Sequence, residues 1–375
     1  MKFKIFSILI MSILMISCSQ TELLETKTAD LPQDRISDLI GNFYQKVHKG
    51  TRAENNSFTI KSISTETFDI PDSLSTGTRT SSDSYDIHTV SVDFGETSGY
   101  VILSDTPEID QIFYYTEDGS INDTIDIKPL KDMVENIPQI ASDILAQDNE
   151  TKDITTRSSD VIISPLVRFL WDQNPPFNNY ATYCICDQCK TRGNHMPIGC
   201  VTIAVGQTIA TVQKFHGTFY GNRDINFDNF PNYGYQFNTT QAMNVSHFLQ
   251  EVALTCQIKF GCDGSSGTVL AAAHCLLDNG YKCDYKTGNI DSNRYIMNLR
   301  EGLPHLIAGS SNSGGHMWIL DGYIQSDGNN MYHINWGWGP GMSSGWASDK
   351  YYVTNGGTNY GKNMRHLYLG GVASK

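Results

Sequence analysis

Cys200 opens a stretch of sequence that can carry nucleophilic chemistry. It follows Gly199, and the apolar residues after it recur at helical spacing, at Val201, Ala204, Val205, Ile209, Val212 and Phe215. This spacing predicts a buried helix with Cys200 in its first turn. The N-terminus of a helix carries partial positive charge and unpaired N–H groups, which favour a thiolate, and a thiolate attacks a carbonyl carbon. The alternative is a buried structural cysteine, and the spacing alone does not separate the two.

A general base and a group to orient it lie further along the chain. Two glycines precede His316 at the start of one predicted strand, and a second predicted strand ends at Asn335. We expect the two strands to pair as a hairpin that brings His316 near Asn335. The amide oxygen of Asn335 would accept from one imidazole N–H, leaving the other ring nitrogen for Cys200, and Trp336 would shield this hydrogen bond from water. His333 is the competing base, because it shares a strand face with Asn335.

Three more cysteines are spaced as Cys184-x-Cys186-x2-Cys189. Together with His195 they are a chemically reasonable ligand set for zinc. Disulfides are the favoured interpretation in an exported chain that has further cysteines downstream. Apart from the candidate nucleophile and one cysteine near the N-terminus, the cysteines number seven, so not all can pair within one chain: Cys184, Cys186, Cys189, Cys256, Cys262, Cys275 and Cys283.

The first residues predict export. Lys2 and Lys4 precede an apolar run of 12 residues, which is shorter than the roughly 20 residues of a spanning helix but suits the core of a signal peptide. The run ends in a Met-Ile-Ser-Cys sequence that resembles a bacterial lipobox. We therefore expect residues 1–17 to be removed and Cys18 to be acylated; the alternative is an ordinary signal peptide with an incidental cysteine. Ser19 is not the aspartate expected of inner-membrane retention, which favours the outer membrane.

Charge and cysteine content both change near residue 157. Residues 19–157 carry 26 acidic and 11 basic side chains and no cysteine, whereas residues 158–375 carry 14 charged side chains of each sign. Nothing in this distribution could neutralise a run of phosphates, which argues against a nucleic-acid partner. The change predicts two units, 18–157 and 158–375, that meet in the polar stretch around Arg157.

Hydrophobic periodicity predicts a small α+β domain in the first unit. The predicted elements are, in order, a helix at 31–47, strands at 89–94, 99–104 and 111–115, and a helix at 130–146. An exposed linker follows at 148–160. The second unit mixes helices with strands rich in glycine and aromatic residues.

Three blocks of the second unit resemble the streptopain family of papain-like cysteine peptidases. They are Gly199-Cys200-Val201, then Gly314-Gly315-His316, then Tyr332-His333-Ile334-Asn335-Trp336-Gly337-Trp338-Gly339. The resemblance implies an α+β protein, in which a papain-like catalytic domain is preceded by a small α+β pro-domain that inhibits it.

The resemblance also implies roles for single residues. These are nucleophile for Cys200, proton acceptor for His316, orientation and shielding for Asn335 and Trp336, oxyanion stabilisation for Gln173, and substrate binding for Thr268 and Gly315. The family's mature chain begins a short way before the oxyanion glutamine, which predicts cleavage after Arg157. No metal and no cofactor are expected.

These features together predict an exported cysteine endopeptidase that is made as a zymogen and works through an acyl-enzyme. The expected partners are protein and peptide substrates, the chain's own pro-domain as inhibitor, and a membrane reached through the lipid anchor. The predicted location is the outer membrane or cell surface, with release of the catalytic domain on maturation. Two alternatives stay open: a surface adhesin or binding protein with altered catalysis, and a cysteine amidase that acts on the cell wall.

Overall fold

The structure, a computed structural model, describes the chain in segments. The described residues are 32–51, 57–70, 84–147, 160–212, 225–311, 314–326, 329–353 and 364–372. Cys18 and Arg157 lie outside these segments, so lipid attachment and cleavage there stay predictions. Within the described residues, no helix combines the length and the apolar character that a membrane span requires.

The first half of the chain forms the elements that its periodicity predicts, and one more strand. The elements are α1 (Pro32–Val47), β1 (Thr59–Asp69), β2 (Ser84–Asp93), β3 (Ser98–Ser104), β4 (Gln111–Thr116) and α2 (Lys128–Gln147). The extra strand is β1, which is largely exposed and polar and therefore shows no alternating apolar pattern.

The second half contributes seven strands and six helices within the described residues. They are β5 (Val161–Ile163), α3 (Asp187–Lys190), α4 (Cys200–Val212), α5 (Thr239–Thr255), α6 (Val269–Asp278), β6 (Tyr281–Thr287), α7 (Ser292–Arg300), β7 (His305–Ser311), β8 (Gly314–Ser326), β9 (Asn329–Asn335), β10 (Gly345–Ser348), α8 (Lys350–Val353) and β11 (Arg365–Val372). The hairpin predicted to carry the base is confirmed, since β8 and β9 pair antiparallel with Ile319 opposite Asn335.

One sheet runs through both halves of the chain. Among the described residues its order is β1-β2-β3-β4-β10-β9-β8-β7-β11-β6, with β5 paired to β8 beside this path. The two halves join where β4 pairs antiparallel with β10, placing Tyr115 opposite Trp346 and Tyr114 opposite Ala347. The compositional boundary near residue 157 is therefore not a boundary of the sheet.

Separate apolar cores cover the two faces of the sheet in the second half. Leu306 and Ile319 pack in one core with α4, α5 and α6. Their chain neighbours Ile307 and Trp318 pack in the other with α2 and α7, as expected because successive strand residues point to opposite faces. Since α2 comes from the first half, this second core also joins the two halves.

Candidate active site

The predicted helix behind the candidate nucleophile is confirmed, and Cys200 is its first residue. Gly199 precedes it with a φ of 95°, a left-handed conformation that favours glycine. Its carbonyl accepts from the N–H of Ile203 at 3.1 Å, which begins the helical hydrogen bonding. The turn therefore sets the Cys200 side chain at the N-terminus of α4.

Burial and the backbone act on the Cys200 thiol in opposite directions. Burial is the larger effect and raises the pKa of the thiol above its ordinary value. The backbone N–H groups of Met317, Val201 and Cys200 itself lower that pKa, since they hydrogen-bond to the thiolate form. In this arrangement Cys200 is held as a neutral thiol, although the donors that would support a thiolate are in place.

His316 is the third residue of β8 and is 7% exposed. Its Nε2 lies 2.8 Å from the carbonyl oxygen of Trp336. A carbonyl only accepts, so Nε2 carries the ring proton and Nδ1 is free to accept. The indole N–H of Trp338 points at the same Nε2 from 3.2 Å, but it could donate to this nitrogen only in the other tautomer, so the shorter contact to the carbonyl is taken to set the proton on Nε2. Burial lowers the pKa of His316 to about 4, while the hydrogen bond to Trp336 acts against this shift.

Asn335 has different hydrogen-bond partners from those that the sequence predicts. Its Oδ1 accepts from the N–H of Gly337 at 3.0 Å, and its Nδ2 donates to the carbonyl of Phe169 at 2.8 Å. The expected bond to His316 is absent from the described contacts, because Nε2 of His316 lies on the Trp336 carbonyl and Asn335 binds the turn after β9 and the segment at Phe169. In this state Asn335 positions backbone segments around the histidine and does not hold its ring.

Trp336 follows Asn335 and is fully buried. Its ring centre lies 6.5 Å from that of His316. Its indole N–H donates to the hydroxyl of Tyr114 and to the carbonyl of Ser343, each at 3.1 Å. The residue is therefore placed to exclude water beside His316, and it is also a direct contact to the first half of the chain through Tyr114 on β4.

The competing base, His333, is engaged elsewhere. Its Nδ1 lies 2.6 Å from Oδ1 of Asp321, a fully buried carboxylate. The other oxygen of Asp321 accepts from the N–H of Val167 at 2.7 Å. His333 lines neither of the two clefts described next, which contain both Cys200 and His316.

Two adjoining clefts share Cys200, His316 and Gly315. One, of about 260 Å³, also contains Gln173. The other, of about 430 Å³, also contains Thr268. Every described residue that the sequence assigns to substrate or oxyanion binding therefore reaches one of these clefts. The hydroxyl of Thr268 accepts from the N–H of Ala271 at 3.1 Å, so this side chain also caps α6.

The first cleft contains residues that sequence reasoning missed. Asp126, which precedes α2, and Lys128 and Pro129, at its start, lie on its wall. Arg192 and Trp338 line it from the second half. Trp338 stands inside the block that carries the family resemblance and could have been found there. The α2 residues have no such signal, because only the joining of the two halves brings them to the cleft.

The site therefore brings the thiol and the imidazole to one cleft without pairing them. No hydrogen bond between Cys200 and His316 occurs among the described contacts, and both groups are held neutral by burial. Proton transfer from the thiol to the imidazole would create the nucleophile that acyl transfer needs. It requires the Cys200 thiol and the free Nδ1 of His316 to come within hydrogen-bond distance of each other.

Known proteins resemble the chain over the region that builds this site. Residues 171–347 match the Peptidase C10 family. Streptopain of Streptococcus pyogenes is 25% identical over 300 residues, which cover 66% of this chain and 71% of that protein. The thiol protease/hemagglutinin PrtT of Porphyromonas gingivalis is 26% identical over 208 residues, which cover 47% of this chain and 22% of that protein.

A solved structure resembles the chain across both halves. It is a fragment of Prevotella intermedia prointerpain A, with a TM-score of 0.55 and 16% identity, and the match covers 76% of this chain and 96% of that one. At this identity the match concerns the fold. The predicted α+β papain-like fold and the predicted resemblance to the streptopain family are both confirmed.

Proposed function

We propose that this chain, whose residues 171–347 match the Peptidase C10 family, is an exported cysteine endopeptidase made as a zymogen, with Cys200 as nucleophile and His316 as base. The observation that carries the proposal is the shared cleft. Cys200 at the start of α4 and His316 near the start of β8 line the same two cavities, whereas His333 is bound to Asp321 outside them.

The chemistry proposed for this cleft is acyl transfer. Cys200 passes its proton to His316, and the thiolate attacks the carbonyl carbon of the substrate. The N–H of Cys200 and the side chain of Gln173 stabilise the oxyanion. His316 then gives the proton to the leaving amine, which departs and leaves a thioester on Cys200. Water, deprotonated by His316, hydrolyses this thioester and restores the thiol.

Latency is assigned to the first half of the chain. Asp126, which precedes α2, and Lys128 and Pro129, at its start, lie on the wall of the cleft that holds Cys200. Tyr114 binds the indole of Trp336, whose carbonyl in turn holds His316. Residues 18–157 would thus restrict the cleft and hold His316 in a position where its ring makes no hydrogen bond to Cys200.

The decisive test is hydrolysis of casein by the purified chain after activation, compared with the Cys200→Ala variant. We expect thiol-dependent cleavage in the parent and a loss of at least ~10⁴-fold in the variant, the size seen when a catalytic nucleophile is removed. Losing one sulfur leaves a small cavity at worst, so circular dichroism should be unchanged. Equal activity in the two proteins would overturn the assignment of Cys200.

Maturation is proposed to occur between Arg157 and Ser158. β5 begins at Val161 and pairs with β8, so cleavage there would leave this strand with the catalytic half. Mass spectrometry of the activated protein should give a product that begins at Ser158. A product that begins within β5 or later would show that another bond is cut.

Inhibition by the first half is testable in trans. Adding residues 19–157 to the activated enzyme should suppress casein hydrolysis, and suppression should persist at ~0.5 M salt because packing, and not charge, supplies most of the contact. Inhibition that vanishes at that salt would rule out the packing explanation. No inhibition at any salt would argue against the zymogen.

Anchoring through Cys18 is the remaining part of the proposal. It rests on the sequence around that cysteine, which resembles a lipobox. The parent should partition into the detergent phase of a phase-separating detergent, and the Cys18→Ser variant into the aqueous phase. A parent found wholly in the aqueous phase would contradict the anchor.

A further inference from the structure

Four cysteines from two separate loops converge beside the cleft. Cys184, Cys186 and Cys189 lie in and just before α3, and Cys262 lies between α5 and α6. All four sulfur atoms are within 4.8 Å of one another. His195, the fourth ligand that the sequence suggests, uses its Nδ1 on the carbonyl of Ala181 at 2.7 Å. The structure thus replaces the histidine with a distant cysteine.

We propose that the reduced chain binds one zinc ion through these four cysteine thiolates. In a tetrahedral site with Zn–S bonds of ~2.3 Å, neighbouring sulfurs are ~3.8 Å apart. Here Cys262 is 3.6 Å from Cys184, which is close to this value, whereas Cys186 is 3.0 Å from Cys184 and 3.2 Å from Cys189. The Cys186 sulfur would therefore move away from these two neighbours by ~0.6–0.8 Å on binding the ion. A tetrahedral set of four thiolates is typical of zinc or of iron–sulfur centres, and a Cys-x2-Cys pair is one that structural zinc sites use.

Local backbone geometry supports a chelating loop. The N–H of Cys189 donates to the carbonyl of Cys186 at 3.0 Å, and the N–H of Lys190 approaches the same carbonyl at 3.3 Å. This turn brings the two side chains of the Cys-x2-Cys pair to one side, which is the spacing found in structural zinc sites. Cys262 then closes the set from the opposite loop.

The cluster also has an oxidised form, because Cys184 and Cys189 are joined by a disulfide. Two equivalents of a small thiol would reduce this bond, giving two cysteine thiols and one small-molecule disulfide. Zinc would then bind four thiolates and release four protons. The other six described cysteines, including Cys256 and Cys275, are free.

The proposed ion would join two walls of the candidate active site. Arg192, three residues after Cys189, donates from Nη1 to the carbonyl of Cys262 at 2.9 Å. Arg192, Asp263 and Ser265 all line the cleft that holds the nucleophile. A zinc ion would therefore fix the spacing of the loop before α4 relative to the loop before α6.

The test measures metal in the full-length Cys200→Ala chain, in which the catalytic thiol cannot bind metal. The protein is purified with a non-chelating phosphine reductant, and inductively coupled plasma mass spectrometry should find one zinc per chain. Cys262→Ser should lower this at least ~10-fold, since one of four ligands is lost. Cys283→Ser is the matched control, a partly buried free cysteine outside the cluster, and should retain the full zinc content. Zinc retained in Cys262→Ser, or absent from Cys200→Ala, would overturn the proposal.

A second measurement does not depend on whether Cys262→Ser folds. Metal-free Cys200→Ala protein is titrated with cobalt(II), and free thiols are counted with a thiol reagent. We expect saturation at one cobalt per chain, the visible absorption of a tetrahedral thiolate complex, and four fewer reactive thiols. Mapping the disulfides by mass spectrometry tests the opposing outcome. If the reduced and purified protein still contains the disulfides Cys184–Cys189 and Cys186–Cys262, or binds no cobalt, the cluster is a disulfide pair and not a zinc site.

Discussion

Two regions of the molecule meet at His316 and contribute in different ways. The first region, α4 with the β8–β9 hairpin, belongs to the second half of the chain and supplies the thiol, the imidazole and the neighbouring Asn335. The second region, residues 84–147, belongs to the first half of the chain. It places no candidate nucleophile or base in the cleft but lines the cleft from α2 and contacts Trp336 from β4. The groups that could react therefore come from the first region, and the proposed contacts that keep them unpaired come from the second.

The attachment of the second region is mostly apolar. Leu130 and Met133 of α2 are buried in the same core as Trp318 and Trp336. Burying a large apolar side chain contributes roughly 1.5–3 kcal/mol, whereas an exposed ion pair contributes at most ~1 kcal/mol. The acidic excess of residues 19–157 is therefore a poor explanation for their binding, and packing is the better one.

The largest expected effect lies within the first region and distinguishes its two histidines. His316→Ala should lower kcat/KM by roughly 10⁴-fold after activation, because the proposed general base is lost. His333→Ala should retain most of the activity, since that ring is bound to Asp321 and does not line the cleft. Peptide hydrolysis by both activated variants checks this. The reverse ranking would assign the base to His333.

A smaller effect is expected at Gln173, on the wall of the same cleft. Gln173→Ala should lower kcat by roughly 10²-fold with little change in KM, because an oxyanion donor acts mainly in the transition state. The neighbouring Asn174→Ala is the control, since that residue lines the cleft as well but is given no catalytic role. Equal losses in both variants would indicate a change in cleft shape instead.

Local periodicity was sufficient for the first region and insufficient for the contacts between the regions. The apolar spacing after Cys200 predicts α4, and the two consecutive strand patterns that contain His316 and Asn335 predict the hairpin. The pairing of Tyr115 with Trp346 joins residues more than 200 positions apart. No local pattern encodes such a pair. For the same reason Cys262 could not be added to its cluster from the sequence, and His195 took its place.

The hydrogen bond of His316 to a carbonyl was also beyond the sequence. The residue types around the histidine permit either Asn335 or the Trp336 backbone as its partner. Which one it binds depends on how the turn after β9 is held, and that turn contacts Tyr114 from the other half of the chain. Types and order therefore suggest candidate residues for the site, but they do not give the hydrogen bonds that those residues make.

The third prediction concerns the reactivity of Cys200 before and after activation. In the full-length chain burial raises the pKa of this thiol and lowers that of His316 to about 4. At pH 6 both are neutral. Removing the second region should let the thiolate–imidazolium pair form, so alkylation of Cys200 by iodoacetamide at pH 6 should rise about 10-fold. Labelling is followed by peptide mass spectrometry, and an equal rate in both forms would contradict the proposed latency.

The same histidine links acid to the stability of the full-length chain. The ordinary pKa of His316 is 6.5, and the folded-state value is about 4. Between these values the unfolded chain binds a proton that the folded chain does not, so the His316 contribution to stability is lost as pH falls from ~6.5 to ~4. His316→Gln, compared with the parent over this range, should show a shallower loss in the free energy of unfolding. Parallel curves would mean that His316 titrates normally.

The smallest expected effect tests a single contact between the regions, the hydroxyl of Tyr114. This hydroxyl donates to the carbonyl of Ser343 and accepts from Nε1 of Trp336. In Tyr114→Phe the indole keeps its bond to Ser343, so the loss is that of one net hydrogen bond, about 1 kcal/mol. Alkylation of Cys200 in the full-length chain should then rise about 5-fold, since ~1 kcal/mol increases by that factor the population in which Cys200 and His316 can pair.

Tyr85→Phe is the matched control for this contact. Its hydroxyl donates to the carbonyl of Pro138 at 2.8 Å, a bond of similar kind that lies entirely within residues 84–147. Losing it should destabilise that region without weakening the contact at Trp336, so alkylation of Cys200 should stay near the parent rate. If both variants raise alkylation equally, a general loss of stability in residues 84–147 is enough to release His316. If only Tyr114→Phe does so, the contact between β4 and Trp336 is what keeps His316 from pairing with Cys200.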